Sequence, residues 1–259
     1  MPQSTEPGHT QATEDPAGAS FSLRHGPSHL RLWTVAVLGL VLDLWSKHWA
    51  FSTLHGRRVV IPHLLHFHRS LNPGALFGLG HGMTAVFIVA SVLALVFVLY
   101  LFAHTPRTRW SLHVALGMIL AGALGNLYDR TFVTADAVWV RSSPGWRGWL
   151  GDEVVMTGKL IGEDDRAWIF TEWPEGKSNT SRAIPKQKGW YVRPSTVVRD
   201  FIKIDTAWLG YQVWKWVFNV ADALLVVGVG LLLIHFWADR RQQHLTARAG
   251  GASPKRKGP

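Results

Sequence analysis

A bilayer's hydrocarbon core is about 30 Å thick, and a helix needs about 20 residues to cross it. This chain carries four apolar runs of that length, at 32–51, 84–103, 111–128 and 216–237. The second, 84-TAVFIVASVLALVFVLYLFA-103, contains no charged residue. Soluble cores also bury apolar helices. Here, though, four such runs share 259 residues, of which 47% are hydrophobic and only 17% charged. One or two soluble domains would not leave enough polar residues to cover that much apolar helix. The expectation is a mainly α membrane protein, built as a four-transmembrane-helix bundle.

Basic residues beside the runs set their direction. Arg24 and Arg31 precede the first run, and Arg107 and Arg109 lie between the second and third. Arg240, Arg241, Arg248, Lys255, Arg256 and Lys257 follow the fourth, against Asp239 alone. With four crossings these places share one side, which puts both termini in the cytoplasm. Arg57, Arg58 and Arg69 in the loop 52–83 weaken the contrast without reversing it. A net charge of +10 could also signal nucleic acid. Its position beside apolar runs favours anchoring at an anionic membrane face instead, and no nucleic-acid partner is expected. The chain has no cysteine, which excludes disulfides and thiol chemistry.

The ionisable residues within the runs are the informative ones, because a charge at the centre of a span costs roughly 2.5–3.5 kcal/mol and faces the bundle interior or a wet cavity. The third run ends in 122-GALGNLYDR-130 and the fourth opens with 218-FNVAD-222. Both read N-x-x-D, so Asn126 shares a helix face with Asp129, and Asn219 with Asp222. Antiparallel crossings bring both motifs to one depth, near the outer leaflet. Asp43 lies toward the same side in the first run, with Lys47 one turn later. Two carboxylates 4 Å apart repel by about 4 kcal/mol at an effective dielectric near 20. One therefore holds a proton while the other stays ionised, which is the requirement for paired acid–base catalysis. The plain alternative has Asp129 paired with Arg130 and Asp222 favouring the start of its helix. A proton or ion carrier is the rival of another class, but it would need acids along a path to both faces.

These blocks resemble lipoprotein signal peptidase (signal peptidase II), the bacterial membrane aspartyl peptidases. The family's G-x-x-G-N-x-x-D-R is matched by 122–130 and its F-N-x-A-D by 218–222. Its N-x-G-A-A-F is approached by 72-NPGALF-77, with Leu76 in place of a small residue, and its D-x-x-[ST]-K by 43-DLWSK-47. The stretch 197-VVRDFIKI-204 resembles the family's V-V-D-F-I before the last span. The resemblance implies a catalytic dyad of Asp129 and Asp222. It implies that Asn72, Gly74, Asn126, Arg130 and Asn219 line the substrate site, supported by Asp43 and Lys47. The implied reaction removes the signal peptide from a prolipoprotein by hydrolysing the bond before its diacylglyceryl-modified cysteine. No metal or organic cofactor is implied. The partners expected are prolipoprotein substrates and membrane lipids, with the enzyme a monomer in the bacterial inner membrane.

The expected organisation follows. Residues 1–29 form a disordered cytoplasmic tail, and 30–130 with 196–238 form the peptidase core. Residues 52–83 make a small extracytoplasmic β-cradle, and 239–259 a basic cytoplasmic tail. Family members join their last two spans by a short segment, whereas here 131–195 reads as an inserted extracytoplasmic β-rich domain. Its expected strands are 133–140, 152–161, 166–172 and 188–194, and Trp139, Trp146, Trp149, Trp168, Trp173 and Trp190 either supply its core, as at least half are expected to, or rest at the lipid headgroups. Gating the site or selecting substrates is the role to test for it. His63, His66 and His68 read poorly as a metal site, since no fourth ligand stands at useful spacing.

Overall fold

The computed structural model describes residues 21–74, 84–141, 152–173, 181–205, 207–208, 211–212 and 216–250. Among the described residues four helices are long and apolar enough to cross a membrane: α1 (Gly26–Thr53), α2 (Thr84–Ala103), α3 (Trp110–Phe132) and α4 (Val220–Gly250). Large apolar side chains cover the outside of the bundle. Val37, Leu38, Val41 and Trp45 of α1, Leu93 and Val96 of α2, and Val226 and Leu233 of α4 all stay exposed, as side chains that face lipid should. Helix α3 is the enclosed one, with Ala115, Leu116, Leu120 and Ala121 buried. Its 122-GALG-125 segment explains this. A Cβ on Gly122 would overlap the Ala221 carbonyl oxygen, and one on Gly125 would overlap the Asp43 carboxylate. Both glycines therefore let α4 and α1 approach α3 more closely than any side chain would allow.

Helix ends differ from the expected ones. Phe21 to His25 are ordered ahead of α1 by a 3-10 turn at Ser22–Arg24. The buried Ser22 hydroxyl donates to the Thr105 carbonyl and lies 2.7 Å from His113 Nε2, pinning this end to the α2–α3 turn. Helix α4 begins at Val220 rather than 216, because Val217–Phe218 pair as a strand. It also continues to Gly250, past the expected start of a tail at 239, and Asp239 pairs with Arg109 at 2.7 Å. The basic residues flanking the spans thus gather at one end of the bundle.

At the other end sits an antiparallel sheet of order β1-β2-β8-β11, made of Arg58–Ile61, Leu65–Asn72, Val198–Ile204 and Val217–Phe218. It occupies the place of the expected cradle, and Phe67, Phe201 and Ile202 pack it onto Ala50 and Phe51 of α1 and Leu54 just past its end. Between α3 and this sheet the chain builds a second antiparallel sheet of order β6-β5-β4-β3-β7. Its strands are β3 (Thr134–Val140), β4 (Glu153–Glu163), β5 (Ala167–Thr171), β6 (Ser181–Pro185) and β7 (Trp190–Thr196). Strand β6 is not among the expected strands, since 181-SRAIP-185 is polar and ends in proline. The pair β9 (Ala207–Trp208) and β10 (Tyr211–Gln212) completes the strands. Val138, Trp168 and Phe170 form the core of the second sheet, with Trp190 packed against it, while Trp173 packs beside Val133 and Val197. Trp146 and Trp149, like Leu76, lie outside the described residues. One residue, Val133, separates α3 from β3, and one residue, Val197, separates β7 from β8.

Candidate active site

Three elements deliver polar side chains to the junction of sheet and bundle. Strand β8 carries Asp200. In the register of β2 and β8, Ser70 faces Asp200 and Asn72 faces Val198, so Asn72 is the diagonal neighbour of Asp200. The Asn72 amide donates to Asp200 Oδ2 at 3.2 Å, and its own Oδ1 accepts the Gly74 N–H at 3.0 Å. The short strand β11 then leads directly into α4 through Asn219.

Asn219 and Asp222 close a reciprocal capping box at the start of α4. Asn219 Oδ1 accepts the Asp222 N–H at 3.0 Å, and Asp222 Oδ2 accepts the Asn219 N–H at 3.2 Å. The Ala221 N–H donates to Asp43 Oδ1 at 2.8 Å, so α1 satisfies a further open donor of that first turn. Asn126 of α3 donates to Asp222 Oδ1 at 2.7 Å. Asn219 meanwhile uses its side-chain amide to donate to Asp200 Oδ1 at 2.6 Å. One residue thus holds both carboxyl groups, Asp222 through its backbone and Asp200 through its side chain.

Asp200 and Asp222 both line a cavity of about 910 Å³. Its walls come from α2 (Phe87, Ala90, Ala94), from α4 (Leu225, Val226) and from β4. Asn72, Asn126 and Arg130 also face it. The Arg130 guanidinium sits 5.7 Å over the Phe87 ring and within electrostatic reach of both carboxyls. Burial pushes the Asp200 carboxyl well above the ordinary carboxylate range, and the neighbouring Asp222 charge raises it further; the donations from Asn219 and Asn72 oppose this without cancelling it.

Asp129, expected opposite Asp222, joins the same polar network through Lys47 and Asn126. It is fully buried and is not among the residues lining the cavity. Its Oδ1 accepts from Arg199 Nη2 at 2.6 Å and Nε at 3.1 Å, and its Oδ2 accepts the Arg199 N–H at 3.0 Å. Lys47 lies 3.3 Å from Asp129 and 2.8 Å from Asp43. Asp43, Lys47, Asp129 and Arg199 therefore form a two-plus-two charge cluster. Lys47 also donates to Asn126 Oδ1 at 3.2 Å, which turns the Asn126 amide nitrogen toward Asp222. Arg130 does not pair with Asp129, and its Nη1 donates to the Asn126 carbonyl at 3.4 Å. Asp200 is the residue that reading the sequence does not single out. Its signal is in 197-VVRDFI-202, an acid enclosed by residues that alternate into the sheet. His66, buried on β2, has Nδ1 3.6 Å from Asp205. Among the described residues no cluster of three or more His, Asp or Glu side chains is arranged to hold a metal.

A bundle of membrane-length apolar helices, with polar side chains gathered where it meets a sheet, defines a multi-pass membrane protein. The sequence profile described as signal peptidase (SPase) II, peptidase A8, matches residues 35–238. The chain belongs to the signal peptidase II family. A lipoprotein signal peptidase of Rhodopirellula baltica is 30% identical over 258 residues, covering 96% of this chain and 89% of its own length. One from Desulfitobacterium hafniense is 29% identical over 187 residues, covering 72% of this chain and 78% of its own. The fold is similar to that of a bacterial membrane enzyme solved by the in meso method at 2.3 Å, with a TM-score of 0.52 and 23% identity across 84% of this chain and 91% of the other.

Proposed function

We propose that this chain is a membrane aspartyl endopeptidase that removes the signal peptide from prolipoproteins by hydrolysing the bond before a diacylglyceryl-modified cysteine. The reading rests on one observation above all: Asn72, Asn126, Arg130 and Asp222 line one cavity, and Asp129 is joined to them through Lys47 and Asn126. Family membership supports the activity, and Asp129 and Asp222 are the catalytic pair of this reading.

Asp222 takes the base role. It sits at a helix N-terminus, where negative charge is favoured, and draws a proton from the attacking water. Asp129, the other member of the pair, donates a proton to the carbonyl oxygen of the cleaved bond. Collapse of the resulting tetrahedral diol breaks the C–N bond. The proton taken by Asp222 passes to the leaving amine, and Asp129 recovers its own from the diol. Arg130, Asn72, Asn126 and Asn219 position substrate and carboxyls, with Gly74 fixing Asn72. Asp43 and Lys47 act from behind, as positioning groups for Asp129, Asn126 and the α4 terminus, and Asp200 holds Asn72 and Asn219.

The cavity suits a lipidated substrate. Phe87, Ala90 and Leu225 between α2 and α4 offer an apolar slot for acyl chains, while the sheets cover the polypeptide. The basic end of the bundle faces the cytoplasm with both termini, the carboxyls lie near the outer leaflet, and the second sheet is an extracytoplasmic insertion. The test is cleavage of a diacylglyceryl-modified prolipoprotein by the purified chain. Asp129→Asn and Asp222→Asn should each abolish cleavage in protein that still inserts and folds. Cleavage surviving in either folded variant would rule out this pair.

A further inference from the structure

The second sheet is more than an appendage beside the peptidase core. Its strand β4 contributes Val154, Val155, Met156 and Thr157 to the wall of the same cavity that holds Asp200 and Asp222. The Thr157 hydroxyl donates to the Leu71 carbonyl at 3.3 Å, one residue before Asn72, so β4 is fastened to the strand that orients Asp200. Register identifies the key residue. Val138 of β3 pairs with Met156 and Trp139 pairs with Val154, which leaves Val155 as the extra residue of a β-bulge. Bulges re-aim side chains and are over-represented beside active sites. Val155 is 49% exposed although it borders the cavity, while Met156 packs against the sheet's own core of Val138, Trp168 and Phe170.

The backbone that carries Val155 is firmly placed. Strand β3 leaves α3 after one residue, β7 enters β8 after one residue, and the Val197 N–H donates to the Val133 carbonyl at 3.0 Å. A wall held this way can discriminate by size, because it does not yield to an oversized side chain.

We propose that Val155 forms an apolar subsite, supplied by the β3–β7 sheet, for a polypeptide side chain flanking the cleaved bond, so that this sheet sets part of the enzyme's sequence preference. The occupant is peptide and not lipid. The acyl slot lies between α2 and α4 on the bundle side of the carboxyls, whereas β4 stands on the sheet side, beside Leu71 and Asn72. The inference rests on the peptidase reading above.

The experiment measures kcat/KM on two diacylglyceryl-modified prolipoprotein peptides that differ only next to the cleaved bond, one bearing Ala and one bearing Leu. Val155→Phe should shift the preference toward the Ala peptide by about ten-fold or more, the size of effect that a few methylenes produce in an apolar pocket. Val155→Ala should move the ratio the opposite way, which a folding defect cannot do, since misfolding lowers both rates together. An unchanged ratio in both variants, with wild type active, overturns the subsite and leaves the peptidase reading intact. Wild type that cleaves neither peptide overturns the peptidase reading and the subsite with it.

Discussion

Asp129→Asn removes a carboxylate that is proposed as chemical and observed as structural. Asp43, Lys47, Asp129 and Arg199 carry two negative and two positive charges, and the first three are fully buried. Asparagine keeps the size of Asp129 but leaves two cations facing one carboxylate. Removing one partner of a buried ion pair costs roughly 3–5 kcal/mol. Lys47 keeps Asp43 at 2.8 Å, and the Arg199 side chain is 12% exposed, so water can take up part of the uncompensated charge. The expected loss is therefore near the lower end, about 3 kcal/mol, or roughly a hundred-fold in the folded-to-unfolded ratio. Asp200→Asn is the comparison. It removes a carboxyl whose burial already opposes its ionisation, so stability holds or rises. The assay pairs thermal unfolding in detergent with cleavage rates per folded molecule, measured below both midpoints. Asp129→Asn should unfold earlier and, per folded molecule, lose about 10²–10⁴-fold in rate with the loss of an acid–base group. Asp200→Asn should stay folded and keep a measurable rate. Full cleavage per folded molecule in Asp129→Asn would refute the assignment.

Further outcomes follow from the same contacts. The raised Asp200 carboxyl binds a proton in the folded chain that it gives up on unfolding, so its contribution is fully present below the unfolded value near 3.8 and is lost as pH rises through the higher folded value. Unfolding midpoints across pH should show that decline in wild type and a flatter course in Asp200→Asn. Asn219→Ala removes the amide held 2.6 Å from Asp200 and the cap on Asp222. It should cost about 1–2 kcal/mol in thermal stability and reduce kcat more than it raises KM. Gly122→Ala places a methyl group against the Ala221 carbonyl and should lower the yield of folded protein, seen as loss of a monodisperse peak in detergent.

The spans are the most legible part of the sequence, because lipid demands length and apolarity and little else. Residues 84–103 are expected as a helix and found as Thr84–Ala103. Helix ends are less so. Whether Val217–Phe218 continue α4 or pair with β8 is decided by a strand about fifteen residues away, not by local composition. The same limit explains the site. The motif residues Asn72, Asn126, Asn219 and Asp222 do converge, as N-x-x-D spacing on antiparallel helices suggests. Which further charges join them depends on the tertiary fold, and Arg199 reaches Asp129 from 70 positions away. No window around 122-GALGNLYDR-130 reveals that pairing, and none around 197-VVRDFI-202 reveals that Asp200 meets Asn72 and Asn219.

The way the second sheet is mounted bears on how such a chain can change length. Thr134 and Thr196 pair across the base of β3 and β7, so the excursion leaves and rejoins the core at a single doorstep. Chain ends already in contact can be spliced, or extended with a new module, at little loop-closure cost. Reporter proteins or foreign strands grafted beyond β5 and β6 would accordingly leave α3 and β8 in place.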